Sequence, residues 1–597
     1  MVYYITTLLV YAGVDAIACL GLSQQFGIAG VTNFGFIIFQ AAGAYAAAVL
    51  SLPASSANGG FQTYIGGLHL PFPFPWIGAA IVGGLLAMPF TVLVGRRLRG
   101  DFAAVGLLVT AVMFNLLATN YKPLVNGAAG LSLVPAPLEH AFNPLSANYQ
   151  WGYGIVAVLL ALLTYAFVTR LTNSPYGRTL RAMRDNDVVA DSLGKNLRSL
   201  RTSSLVVGGA IAGLSGAILV GFINLWDPQA WGYAETVVLF AAVIIGGLGN
   251  HRGAVLGAIL VPVAFEEATR YIPPVANNPN LIPALQWVVI GLLILLFLWF
   301  RPQGILPERR RKILGDRADA VKPAPSNGSL ARPGVAGAPS EQLEADPIIL
   351  RCQDLVRSFE GVRAVDDVTM SFQRGRLTGI IGPNGAGKST ALAMLAGTLE
   401  PTAGKIYFRG RDVTRLPAYR RAQQGLVRTF QLASEFKRLT VLENLLTAIP
   451  GQKGESFGGA LLGKRYWGAQ ERDAIERATA TLEQFGLLSL ADRYAGDLSG
   501  GQRRLVEIMR ALMTEPEVLL LDEPMAGVHP RLAHQIGMQL VGLCEAGMTV
   551  VMVEHELSIM DEFCDPVIVL AEGRLLAEGT MTTLRAREEV VEAYLVG

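Results

Sequence analysis

Leu377-Thr378-Gly379-Ile380-Ile381-Gly382-Pro383-Asn384-Gly385-Ala386-Gly387-Lys388-Ser389-Thr390 decides how the second half of this chain folds. Its first five residues read as a buried strand, and Ala391 to Gly397 after it reads as a helix. The pattern GxxxxGK[ST] in a strand–loop–helix setting is a phosphate cradle, because glycines let backbone N–H groups close on phosphate oxygens at a helix N-terminus. The spacing puts Lys388 where it meets the β- and γ-phosphates and the Ser389 hydroxyl where it ligates Mg²⁺. Gly382, Asn384, Gly385, Gly387, Lys388, Ser389 and Thr390 are therefore the candidate nucleotide contacts.

Further along, Val518-Leu519-Leu520-Leu521-Asp522-Glu523-Pro524 is a continuous apolar strand ending in two carboxylates. That is the signature of a buried parallel strand delivering acids to its C-terminal edge. Asp522 suits the Mg²⁺ shell, and Glu523 suits a general base or water-orienting group facing the γ-phosphate. A strand-end Asp-Glu pair by itself can merely cap a turn; the phosphate loop upstream favours the chemical reading.

Leu498-Ser499-Gly500-Gly501-Gln502 lies just before the acidic strand. Here the chain resembles the ABC ATPase family, whose signature LSGGQ it matches in full. The resemblance implies an α/β P-loop domain that uses ATP and Mg²⁺. It also implies that Ser499, Gly500, Gly501 and Gln502 bind the nucleotide held by an opposite ATPase. By the same resemblance Gln431, in Arg428-Thr429-Phe430-Gln431, matches a glutamine that senses Mg²⁺ and the nucleophilic water. His555, after the strand Met548 to Val553, matches the switch histidine, and Phe359 the adenine-stacking aromatic. His529 departs from the pattern, standing where the family generally has Asp or Asn.

Outward from these motifs the composition changes. Hydrophobic residues make up 51% of the 597 and charged residues 16%, against roughly 25% charged in soluble domains. Residues 2–50 carry one charge, Asp15. Candidate membrane spans of roughly 20 apolar residues lie near 3–21, 28–50, 76–95, 102–118, 152–170, 203–225, 234–248, 253–267 and 282–300. Gly246-Gly247-Leu248-Gly249-Asn250-His251-Arg252-Gly253 interrupts one stretch, which reads either as two spans or as a broken, re-entrant pair. Arg96, Arg97 and Arg99, the stretch Arg178 to Arg201, and Arg301 to Lys312 carry the basic residues, which the positive-inside rule places in the cytoplasm. No basic n-region precedes the first apolar run, so it is expected to be retained.

Glycine-rich faces such as Gly208 to Gly216 suit close helix packing in lipid. Asn33, Gln40 and Asn115 read equally as pathway residues or as interhelical hydrogen-bonding groups. A net charge of +2 argues against a nucleic-acid partner. Cys19, Cys352, Cys544 and Cys564 lack metal-ligand or disulfide spacing and read as reduced thiols.

The expected organisation is thus an all-α polytopic membrane domain at 1–306, a Pro/Gly/Ser-rich tether at 307–346 and an ATPase domain at 347–597. Gly35-x-x-x-Phe39-x-x-x-Gly43-Ala44-Tyr45, the segment Tyr176 to Asp187, and the Gly246 to Gly253 break make the first half similar to permeases of branched-chain amino-acid importers. Leu439-Thr440-Val441-Leu442-Glu443-Asn444 and Glu592-Ala593-Tyr594-Leu595 look like the matching ATPase. The resemblance implies a permease subunit fused to an ATPase subunit in the cytoplasmic membrane, with residues 176–201 as a coupling segment. Its implied partners are a second ATPase and second permease (separate chains, or another copy of a fusion), an extracytoplasmic solute-binding protein, a small-molecule solute and membrane lipid. Import of urea, short amides or other small solutes is the alternative; an exporter or a membrane-anchored ATPase without transport is less favoured.

Overall fold

The computed structural model describes residues 2–55, 61–92, 100–270, 281–309, 312–314, 347–429 and 434–596. Arg96, Arg97 and Arg99, most of the tether, and Gln431 lie outside the described residues. The chain divides into two units: Met1–Leu180 with Arg198–Arg309, and Arg181–Leu197 with Arg310–Gly597.

In the first unit, apolar runs with few charges become helices, because the helix satisfies every backbone group without water. They are α1 (Val2–Leu22), α2 (Phe36–Ser51), α3 (Phe74–Phe90), α4 (Gly100–Asn120), α5 (Ala147–Thr172), α8 (Leu197–Ile223), α9 (Tyr233–Gly246), α10 (His251–Ala258) and α11 (Leu281–Phe300). Between α5 and α8 lie two short helices, α6 (Pro175–Asp185) and α7 (Asp187–Ser192). Among the described residues four segments, Val2–Ile28, Asp101–Asn120, α5 and α8, are long and apolar enough to cross a membrane; α2, α3, α9 and Ala284–Phe300 are shorter apolar helices.

The span expected at 28–50 starts late. A π-helical turn, Ser23–Ile28, ends α1, and α2 begins only at Phe36. The Asn33 side chain accepts from the Gly35 N–H at 3.1 Å, offering the backbone a turn that competes with helix. The segment expected at 253–267 is α10 followed by a second π-helical turn, Ile259–Phe265. The glycine break between α9 and α10 makes a tight turn, in which a Cβ on Gly246 would lie 2.0 Å from the Gly253 carbonyl oxygen.

Glycine faces bring α2, α3 and α8 into backbone contact. A Cβ on Gly43 would lie 2.2 Å from Gly213 Cα, and one on Gly213 would lie 2.3 Å from the Ala79 carbonyl. Of the polar residues with two readings, Asn33 donates to Gln25 Oε1 at 2.9 Å and Asn115 to the Pro228 carbonyl at 2.7 Å. Both thus make side-chain hydrogen bonds to neighbouring segments, while Gln40 is buried at 4% exposure. All four cysteines are buried and free.

At the end of α8 remote from Arg198 the loops are folded. Leu131–Ser132 pairs antiparallel with Leu225–Trp226, and the Trp226 indole donates to the Ala41 carbonyl at 3.1 Å. Tyr64, Val125, Leu131, Val134 and Trp231 share an apolar core with these residues.

The second unit has two sheets. The antiparallel one, in the order β2-β1-β4-β5, is built from β1 (Ile348–Phe359), β2 (Val362–Gln373), β4 (Ala403–Phe408) and β5 (Arg411–Asp412). The other runs β10-β9-β3-β8-β7-β6, from β3 (Leu377–Ile381), β6 (Leu426–Arg428), β7 (Val518–Asp522), β8 (Thr549–Val553), β9 (Val567–Ala571) and β10 (Arg574–Gly579). Only β10 is antiparallel to its neighbour. β3, β7 and β8 are buried at every residue, as strands covered on both faces must be. Their C-terminal ends lie side by side, with Val553 opposite both Ile380 and Asp522.

Candidate active site

The phosphate loop leaves β3 at Gly382 and enters α12 (Lys388–Ala396). Gly382 has φ 155°, and a Cβ there would lie 2.1 Å from the Leu570 carbonyl; Gly387 has φ 91° and would meet the Ala364 carbonyl at 2.4 Å. No larger residue fits either position. Asn384 and Gly385 are exposed at the loop tip, and Ser389 and Thr390 are half-buried in the first turn of α12.

Lys388 is buried, and its Nζ donates to the Gly382 and Pro383 carbonyls at 2.7 and 2.9 Å. Burial pushes its pKa down, and the Glu523 and Asp522 carboxylates oppose that shift. The ammonium is thus parked on its own loop. Ser389 Oγ donates to Asp522 Oδ1 at 3.0 Å, so a hydroxyl and a carboxylate converge at the end of β7. This all-oxygen pair suits Mg²⁺, which takes one or two carboxylates and completes its shell with waters and phosphate oxygens.

Glu523 has φ 48°, a left-handed conformation that non-glycine residues keep only where the surroundings impose it. Its N–H donates to the Val553 carbonyl at 2.9 Å, and its Oε1 lies 2.9 Å from His555 Nε2. Two adjacent strand ends, β7 and β8, thereby join the acid to the histidine.

Three residues that motif reading passed over complete this edge. Arg428, at the end of β6, ion-pairs with Asp522 Oδ2 at 2.8 Å. Arg504, in α15 (Gly500–Leu512), donates to the carbonyls of Asp522, Glu523 and Pro524 and pairs with Glu507. Glu554 accepts from the Met525 N–H at 2.7 Å, and burial pushes its carboxyl up to about 7. Arg428 sits inside a quoted motif, Arg504 follows one by two residues and Glu554 immediately precedes His555, so adjacency to a motif was the only available signal.

Other candidates are placed apart from this cluster. Ser499 caps α15, its Oγ accepting from the Gln502 N–H at 3.4 Å while Gln502 Oε1 accepts from the Ser499 N–H at 3.0 Å. Among the described residues, no hydrogen bond joins Ser499, Gly500, Gly501 or Gln502 to the phosphate loop. Phe359 is exposed at the end of β1, with the Arg357 guanidinium 4.6 Å from its ring centroid. His529 caps α16 (Pro530–Glu545), Nδ1 accepting from the Arg531 N–H at 3.3 Å.

Residues 181–197 are held by ion pairs and hydrogen bonds to residues of 423–455. Arg181 pairs with Glu443 at 2.9 Å, with side chains 9% and 3% exposed, and Lys195 pairs with Glu455 at 2.6 Å. The Arg438 N–H donates to Asp185 Oδ2 at 2.7 Å, and Gln423 donates to the Gly194 carbonyl at 2.8 Å. Glu443 also closes the capping box of α13 (Val441–Ala448), the helix before α14 (Lys464–Gln484), with Thr440, so one carboxylate fixes both a helix start and the incoming arginine.

Residues 365–526 match the family of ABC transporters. Residues 4–298 match the permease component of the branched-chain amino acid transport system. The chain belongs to the ABC transporters. Its ATPase half is 38% identical over 247 residues to the probable branched-chain amino acid transport ATP-binding protein LivG of Archaeoglobus fulgidus, covering 41% of this chain and 95% of that one. The LivG counterpart from Methanocaldococcus jannaschii, also named as probable, is 41% identical over 251 residues, 41% of this chain and 97% of its own. BraF of Pseudomonas aeruginosa, a high-affinity branched-chain amino acid transport ATP-binding protein, is 37% identical over 248 residues, again 41% of this chain and 97% of its own. This ABC transporter chain is accordingly a membrane protein that binds and hydrolyses ATP, a transport component carrying permease and ATPase together.

Proposed function

We propose that this chain is one arm of an importer that takes up branched-chain or similar amino acids across the cytoplasmic membrane. The observation that carries the reading is the docking of residues 181–197, a loop between two apolar helices, onto the ATPase through two ion pairs. A loop held this way transmits movement of the ATPase to the helices on either side of it. The organisation proposed is a permease at 1–306, a tether at 307–346 that keeps the two parts at high local concentration, and an ATPase at 347–597 on the cytoplasmic side.

In the ATPase, the loop amides from Gly382 to Thr390 and the Lys388 ammonium hold the phosphates. Mg²⁺, held by Ser389 and Asp522, and sensed by Gln431, would neutralise charge on the β- and γ-phosphates. Lys388 must leave its two loop carbonyls to reach them, which the glycine backbone permits. Glu523 orients and deprotonates the attacking water, and His555, 2.9 Å away, fixes the carboxylate. Phe359 stacks on the base. Ser499, Gly500, Gly501 and Gln502 serve the nucleotide of a partner ATPase, consistent with their separation from the phosphate loop here. A second permease and an extracytoplasmic binding protein complete the assembly.

The test is uptake of labelled leucine by the reconstituted assembly with its binding protein. Accumulation that requires ATP and is lost with Glu523→Gln supports the reading; ATP hydrolysis without solute movement removes it.

A further inference from the structure

The folded loops at the end of α8 remote from Arg198 enclose a cavity of about 290 Å³ where α2, α3 and α8 end. By the orientation proposed above this is the extracytoplasmic mouth of the permease. The volume falls just below the range of roughly 300–1,000 Å³ typical of drug-sized ligands, which suits a single small solute. One wall is aromatic and dry: Trp76 is 7% exposed, and Phe72 meets it edge-on with ring centroids 4.9 Å apart. Val134 and Val220 also line the cavity.

Polar groups also line the cavity. Glu139 is half-buried there, and one of its oxygens accepts from the Ala136 N–H at 2.8 Å, which aims the carboxylate and leaves the second oxygen for a ligand. His69 and His140 flank it with ring centroids 6.4 Å apart. His69 Nδ1 lies 3.2 Å from the Ser51 carbonyl; a carbonyl only accepts, so Nδ1 carries the proton and Nε2 is left to face a ligand. His69 holds φ 44°, a backbone cost that non-glycine residues accept mainly at binding and catalytic sites.

We infer that this cavity is a reception site for a zwitterionic α-amino acid with an aliphatic side chain, Glu139 and the His69 Nε2 acceptor taking the ammonium, His140 the carboxylate, and Phe72, Trp76, Val134 and Val220 the side chain. The permease then has its own selectivity, beyond that of any binding protein. The inference rests on the import reading for its choice of solute, but the cavity's chemistry stands by itself: one fixed carboxylate, two imidazoles and an apolar wall match the three parts of such a molecule and no simpler ion.

The experiment is ligand-detected NMR on the full chain in lipid nanodiscs, using L-leucine, leucinamide (no carboxylate) and 4-methyl-2-oxopentanoate (no ammonium). Leucine should bind, and each truncated analogue should bind about tenfold or more weakly, as should leucine to Glu139→Gln. Trp76→Phe, which keeps an apolar wall, should weaken leucine only a few-fold; an unchanged melting temperature shows that each variant is folded. Wild-type affinity in Glu139→Gln, equal binding of the three compounds, or no binding at all would overturn the inference. Leucine uptake by the whole assembly without binding here removes only the cavity; Glu139-dependent binding without leucine uptake keeps the cavity and removes the import reading.

Discussion

Glycine shapes the phosphate loop and the helical bundle in opposite ways. At Gly382 and Gly387 the backbone itself is unusual, with φ 155° and 91°, and the missing side chain lets amide groups turn toward phosphates. At Gly43, Gly213 and Gly216 the backbone is ordinary helix, and the missing side chain only lets a neighbour approach: a Cβ on Gly216 would lie 2.2 Å from the Gln40 carbonyl. The first use is tied to a fixed spacing around Lys388, so a short motif reveals it. The second depends on which helix comes alongside, and no local spacing encodes that.

The comparison can be broken at its strongest point. Glu523→Gln should leave ATP binding intact and lower turnover by roughly 10²–10⁴-fold, the usual worth of a positioned general base; unchanged hydrolysis in a steady-state assay would remove Glu523 from its role. Gly213→Val should act on the other side, costing about 1–3 kcal/mol or more by overpacking and lowering the yield of monodisperse protein while ATP binding by the recovered chain is retained. If Gly213→Val is tolerated, the close approach of α3 and α8 is not what holds the bundle.

Between these extremes lies the docked loop. Arg181→Ala leaves Glu443 buried and unpaired, the costly way to break an ion pair. Solute uptake per ATP hydrolysed should fall roughly tenfold, with hydrolysis itself less affected; Glu443→Gln should resemble it, and parallel losses of uptake and hydrolysis would mean the pair is merely structural. The smallest effect concerns pH. Glu554 has its carboxyl raised by burial from 4.5 to about 7, so the folded state keeps a proton that the unfolded chain releases. Stability therefore falls as pH rises from about 4.5 to about 7 and levels off above. Glu554→Gln, which keeps an acceptor for the Met525 N–H, should remove that pH-dependent loss, about 3 kcal/mol across the window for this shift, read from melting curves.

How far the sequence could be read follows the same division. The strand–loop–helix of the ATPase, the end of β7 and the Ser499 cap all lie where their motifs put them, because each depends on residues close together in the chain. Arg428 and Arg504 escaped, since their partners at 522–524 lie 94 and about 20 positions away and only the sheet order brings them together. In the membrane half, the apolar runs located the helices, but the late start of α2 depended on one Asn33 side chain competing with the helix. The segments 176–187 and 439–444 each stood out in sequence; that Arg181 of one meets Glu443 of the other required the fold. The tether proposed at 307–346 lies mostly outside the described residues, and shortening it modestly should leave uptake unchanged if it only holds the parts together.

The central claim is that ATP hydrolysis at Glu523 drives solute through the permease of the same chain. Its most direct test is labelled leucine uptake, measured together with ATP hydrolysis, in liposomes holding the complete assembly with binding protein outside. Accumulation should require ATP, disappear with Glu523→Gln and become uncoupled from hydrolysis with Arg181→Ala. Hydrolysis stimulated by the binding protein with no movement of leucine would contradict that claim.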